Sequence, residues 1–218
     1  MKRYILILLA VMSVFAVEAR EVYSLNNDWR FFFKNENTGD NARYVTVPHT
    51  WNLDALTGSR TYEQTTGNYL REIYIPSEWS GKRLFLRFFG VQSVADVFLN
   101  GEHIGEHRGG WTAFTFEITD KVRFDGDNLL HVMVSNAYQN DVLPTSTEMN
   151  LYGGIYRDVE LIVTEPTTVT PMFYGTDGIM INQHSVSRER VDGEAVIYLT
   201  STRESMCNVT LSIIGPDG

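Results

Sequence analysis

The chain has 218 residues, 43% hydrophobic and 21% charged, a globular balance that excludes wholesale disorder. Its formal net charge of −9 argues against a surface built to grip nucleic acid. Cys207 is the only cysteine, so an intramolecular disulfide and a cysteine-rich metal site are both excluded.

Lys2 and Arg3 precede an uncharged apolar run over residues 4–17, and Val17 and Ala19 place small residues correctly for a cut after Ala19. The run is shorter than the roughly 20 residues that cross a bilayer comfortably. Residues 1–19 therefore read as an export signal. The mature chain is expected to start at Arg20, in the periplasm or outside the cell, with no membrane attachment after cleavage.

Beyond Arg20 no long stretch has helical periodicity. Short β-rich runs alternate with turn residues, the pattern of a sandwich or barrel. Residues 83–89 predict a strand with large apolar side chains on both faces, which implies that both faces are covered. Residues 94–99 predict the next strand. Asn100-Gly101 then predicts a two-residue hairpin turn, because both residues tolerate the positive φ that such a turn needs. The return strand starts at 102–105, and further strands are expected at 114–118, 128–135 and 155–163. Residues 164–171, TEPTTVTP, read as a linker. It divides a first domain, 20–166, from a second, 167–218. The second domain is expected to hold strands at 194–200 and 208–214, too few to complete a sandwich. The chain therefore reads as a fragment, and the apolar side chains of its last part are expected to lack a partner sheet.

Four motifs carry the most information: VPHTWN at 47–52, GNYLR at 67–71 running on to SGKR at 80–83, VFLNG at 97–101 followed by GGWTAF at 109–114, and YGGIYRDV at 152–159. Read locally, the glycines permit tight bends and close backbone approach. Arg157 and Asp158 are adjacent on an expected strand, so each should find a different neighbour. Together and in this order, the four motifs closely resemble the N-terminal sugar-binding domain of glycoside hydrolase family 2, the β-galactosidases, β-glucuronidases and β-mannosidases. The resemblance runs from about residue 27 to 166. It implies an all-β chain: a jelly-roll, galactose-binding-domain-like sandwich followed by an incomplete immunoglobulin-like sandwich. It also implies that the catalytic (β/α)₈ barrel is a missing partner, and that carbohydrate is the ligand class.

Glycoside hydrolysis needs two carboxylates flanking the scissile bond, and in this family the acid is a glutamate that follows an asparagine. The one Asn-Glu pair here, Asn35-Glu36, lies in a polar loop out of that context, so no catalytic residue is assigned. His103 and His107 follow a hairpin turn, where a spacing of four does not place two ligands together. They read as solvated loop histidines. His49 reads as a loop-holding residue, and His131 as a residue of a domain surface. No cofactor and no metal is expected, and neither is a nucleic-acid partner.

The expected function is that of the non-catalytic N-terminal part of an exported family 2 enzyme acting on β-linked glycosides, with β-galactosides first. The alternative is a stand-alone carbohydrate-binding module on the same fold. Two residues are implied by the resemblance as substrate contacts. Glu148 lies four positions before Tyr152, where the family usually carries an acidic residue, often aspartate. Asn52 ends the PHTWN loop.

Overall fold

The computed structural model describes residues 20–34, 42–53, 62–143 and 152–214. Its larger sheet has six antiparallel strands in the order β3 (Arg43–Val45), β2 (Trp29–Phe33), β4 (Thr66–Ile75), β10 (Gly126–Ser135), β7 (Val94–Leu99) and β8 (Glu102–Arg108). The smaller has four, in the order β1 (Arg20–Ser24), β12 (Val159–Thr164), β5 (Arg83–Phe88) and β9 (Phe114–Glu117). A short ladder of β6 (Val91–Gln92) with β11 (Gly154–Ile155) lies beside them.

Period-two patterning decides which side chains meet between the sheets. On β10, Leu130, Val132 and Val134 are buried, while His131 and Met133 face outward at intermediate exposure. Trp29, Phe31, Tyr69, Val97 and Leu99 extend the inner face of the larger sheet. Leu84, Leu86, Phe88, Leu161 and Val163 supply the opposing face. Each large side chain buried this way contributes about 1.5–3 kcal/mol, so the sandwich rests on one continuous core.

The strand at β5 is buried on both faces, as its sequence implies. Its outer face is roofed by charge. Arg83 lies over the Phe85 ring at 5.0 Å and grips Glu117 with two hydrogen bonds of 2.8 and 2.7 Å. Arg87 holds Glu160 and also reaches Asp177 at 2.8 Å. The hairpin turn is present too, with Asn100 at φ 54° and Gly101 at φ 85°.

Four expectations change. The run at 155–163 is two strands in different sheets, β11 and β12. Its register breaks where Asp158 accepts a hydrogen bond from Asn26 at 2.9 Å and Arg157 lies over the Tyr156 ring at 5.5 Å. The linker at 164–171 contains a strand, β13 (Thr167–Val169), paired with β16 (Leu199–Ser201). Residues 208–214 form no strand: their apolar side chains are exposed, and alternation makes a strand only where a neighbour supplies the ladder. The run at 194–200 is not one strand: it divides at Tyr198 between β15 (Val191–Ile197), paired with β14 (Ile179–Val186), and β16, because the two stretches find different neighbours.

Asp177 joins this last region to the sandwich through Arg87 and through Arg20 at 3.1 Å. The Arg87 guanidinium, hydrogen-bonded to it, holds the Asp177 carboxyl below the usual range. Asp177→Ala is expected to speed proteolytic cleavage around residues 164–178 while leaving the unfolding midpoint of the sandwich nearly unchanged. Cleavage at the wild-type rate would show that these ion pairs do not hold the region down.

Candidate functional site: the loop-bearing end of the sandwich

Loops 47–53, 62–65, 136–143 and 152–156 meet at one end of the sandwich, and they are joined by buried polar groups. The Glu63 carbonyl is the meeting point. It accepts hydrogen bonds from Trp51 Nε1 at 3.2 Å, Asn52 Nδ2 at 2.9 Å and Asn136 Nδ2 at 2.8 Å. Asn52 Oδ1 accepts from the Glu63 N–H at 2.8 Å, and Asn136 Oδ1 accepts from the Thr65 N–H at 2.8 Å. Asn52 and Asn136 are almost fully buried. Losing such an amide would leave backbone groups unpaired, at about 1–3 kcal/mol each.

Trp51 anchors the same loops from below. It is buried, stacked on Phe31 with ring centroids 5.8 Å apart, and edge-on to Phe33 at 5.9 Å. Its backbone N–H donates to the Gly153 carbonyl at 3.2 Å. A side chain at Gly153 would overlap the indole ring, so glycine is what lets YGGIYRDV and PHTWN touch. Beside it, the His49 N–H donates to the Ile155 carbonyl at 2.7 Å, and His49 Nδ1 lies 2.7 Å from the Tyr69 hydroxyl. Tyr69 is fully buried, and that burial pushes its phenol far above its usual value. Burial likewise drops the His49 imidazole to about 4, with Arg43 adding a smaller push in the same direction. At neutral pH the pair is therefore uncharged, and His49 Nδ1 and the Tyr69 hydroxyl share one hydrogen bond.

The structure thus places Asn52 at the base of this end with its amide turned inward onto Glu63. Glu148 lies outside the described residues. What the structure does bring together is the PHTWN segment that holds Asn52 and the Tyr152–Gly153 segment, through the Trp51–Gly153 bond. His49 holds the loop, as its context implies. His103 and His107 are corrected: they sit on a strand, and a bulge opposite Val97 and Phe98 turns them to opposite faces. His103 packs on Phe98 at 5.0 Å, while His107 stacks on Phe114 at 4.1 Å. Among the described residues, no three His, Cys, Asp or Glu side chains converge as metal ligands. Glu63 and Asn136 had no sequence signal, because each acts through partners far along the chain.

The family model described as "Glycosyl hydrolases family 2, sugar binding domain" matches residues 22–166. The chain belongs to glycosyl hydrolase family 2. It is 44% identical over 211 residues to a β-glucuronidase of Bacteroides fragilis, aligning 96% of this chain with 30% of that protein. It is 27% identical to a β-galactosidase of Thermoanaerobacter pseudethanolicus, over 77% of this chain and 24% of that one. A crystal structure of a Bacteroides uniformis β-glucuronidase superposes with a TM-score of 0.73 at 35% identity, covering 81% of this chain and 22% of that one. The chain therefore spans less than a third of the length of these relatives.

Proposed function

We propose that this chain is the non-catalytic N-terminal part of an exported enzyme that hydrolyses β-linked glycosides. In this reading the loop-bearing end supports the rim of an active site whose acid and nucleophile lie in a barrel beyond these residues. The observation that carries it is the knot at Glu63. Three buried donors from two loops fix one carbonyl, which stiffens the base of the loops that a rim would use. The similarity to a β-glucuronidase at 44% identity puts β-glucuronides beside β-galactosides as substrates to test. The first 19 residues serve as the signal in this reading, so the secreted protein starts at Arg20. The division at residue 166 separates the sandwich from the next domain.

Glu148 is the proposed sugar contact, since a carboxylate accepts charge-assisted hydrogen bonds from hydroxyls. Asn52 is assigned support of that rim through Glu63. In the full-length enzyme, Glu148→Ala is expected to cost roughly 1.5–3 kcal/mol of transition-state stabilisation, read as kcat/KM on aryl β-glucuronide and β-galactoside. Folding should be unchanged by circular dichroism. The purified 218-residue chain should turn over neither substrate. An unaltered kcat/KM would remove Glu148 from the site, and turnover by the isolated chain would overturn the non-catalytic reading.

A further inference from the structure

The outer face of the larger sheet carries a row that spans all six strands. The register places Tyr44 opposite Arg30, Arg30 opposite Leu70, Leu70 opposite His131, His131 opposite Phe98, and Phe98 opposite His103. Directly paired residues point to the same face, so each strand contributes one side chain to one line. At about 4.8 Å between strands the line is about 24 Å long. Tyr44 is 78% exposed at one end. Leu70, His131 and Phe98 are half-buried along the middle.

The rings are held in place rather than left loose. Phe98 stacks on His131 at 5.5 Å and 26°, and leans on His103 at 5.0 Å. The neighbouring row supplies polar groups that fix the imidazoles: Asn68 Oδ1 lies 3.0 Å from His131 Nε2, and Asp96 Oδ1 lies 3.3 Å from His103 Nε2. Burial lowers the proton affinity of His131, so at neutral pH it offers a neutral ring with hydrogen-bonding edges. At the far end the row opens into a depression of about 300 Å³, where Arg30 and Tyr44 meet Asp28 and Glu72.

We infer that this row is a binding platform for an extended, neutral polysaccharide laid across the strands. The row is six strands long, a span that an extended chain lying across the strands would follow. Flat rings and hydrogen-bonding groups share one line, which suits pyranose rings with an apolar face and hydroxyl edges. Arg30 is the one Lys, Arg, Asp or Glu side chain of the row itself, and it stands 4.0 Å from Glu72. The row therefore holds no cluster of like charge to select an ionic partner. The main-chain groups of the central strands are spent on the ladders, so a peptide could not add to the sheet here. The inference shares with the hydrolytic reading only the carbohydrate class of the ligand, and it concerns a surface on a sheet face rather than at the loop-bearing end.

Affinity electrophoresis of the full-length protein through gels holding soluble galactan, mannan or arabinoxylan tests it, with polygalacturonate as the anionic comparison. Retardation by at least one neutral polymer is expected, and Tyr44→Ala and Phe98→Ala should each weaken it by about tenfold. Tyr44 is exposed enough that its replacement leaves folding intact, which guards against misreading an unfolded Phe98 variant. Hydrolysis of small aryl glycosides should be the same in all three proteins. Failure of hydrolysis would strike the hydrolytic reading and leave this one standing. No retardation by any neutral polymer would overturn the platform, as would retardation by polygalacturonate alone or undiminished retardation of both variants. A wild-type dimer that dissociates on either substitution would overturn it too, since the face would then join two copies of the chain.

Discussion

Replacing Gly154 by alanine lowers the unfolding free energy of the sandwich by roughly 3–5 kcal/mol, the sum of a backbone and a packing penalty. Gly154 sits at φ 137°, a conformation that side chains rarely adopt. A methyl group there would overlap the His49 carbonyl oxygen and stand 2.8 Å from the Tyr69 hydroxyl and 3.1 Å from Thr50 Cα. Two of these neighbours are backbone, and the third is fully buried, so none can step aside cheaply. Gly101→Ala is the comparison. It also has positive φ, 85°, but open space where the methyl would go, so only the conformational cost of about 1–2 kcal/mol applies. Urea denaturation of both variants separates the effects. If Gly154→Ala were no worse than Gly101→Ala, the close approach of the two motifs would not be what stabilises this end. The His49–Ile155 and Trp51–Gly153 bonds lie beside Gly154, so they should weaken with it.

How far the sequence reaches can be judged at particular residues. The hairpin at Asn100-Gly101 was legible because its cause is local: two residues that accept positive φ between alternating runs. The strand at 83–88 was legible because apolar side chains fall at both parities. Strand β4, by contrast, places Arg71 and Glu72 among apolar residues, and nothing local marks it as the centre of a sheet. Strand β2, WRFFF, alternates only over Trp29-Arg30-Phe31, since Phe32 on the outer parity is as apolar as Trp29 and Phe31 inside. At 208–214 the error ran the other way, because alternation is visible in a sequence and a missing neighbour strand is not. The site divides similarly. The PHTWN and YGGIYRDV motifs were visible as motifs. The bond that fixes their shared base, Asn136 to Glu63, joins residues 73 positions apart. An isolated asparagine after a strand gives no hint of such a partner. The row across the larger sheet was hidden for the same reason, since it exists only once five separate registers are known.

The sandwich also loses stability between pH 6.5 and 4, and His49 accounts for roughly 3 kcal/mol of that loss. The sign follows from its proton affinity. Unfolded, the imidazole titrates near its ordinary value of 6.5. Folded, burial holds it to about 4. Between those values the unfolded chain binds the extra proton and the folded chain does not, so acid favours unfolding. The full stability is present above pH 6.5, falls as pH drops through the window, and levels off below about 4, where both states are protonated. The structural cause is burial, which disfavours the charged imidazole, with the Arg43 guanidinium adding a smaller push in the same direction. While neutral, His49 shares a hydrogen bond between its Nδ1 and the Tyr69 hydroxyl at 2.7 Å. His49→Gln keeps a neutral side chain at this position, so its urea-unfolding free energy should be lower than wild type at pH 7.5 but should decline less on the way to pH 4. Subtracting one curve from the other cancels the carboxylates and the other histidines, which titrate in both proteins. Parallel curves would show that His49 is charged or solvated in the folded chain. A proton-NMR titration gives the direct reading, with the His49 resonance expected to move only near pH 4.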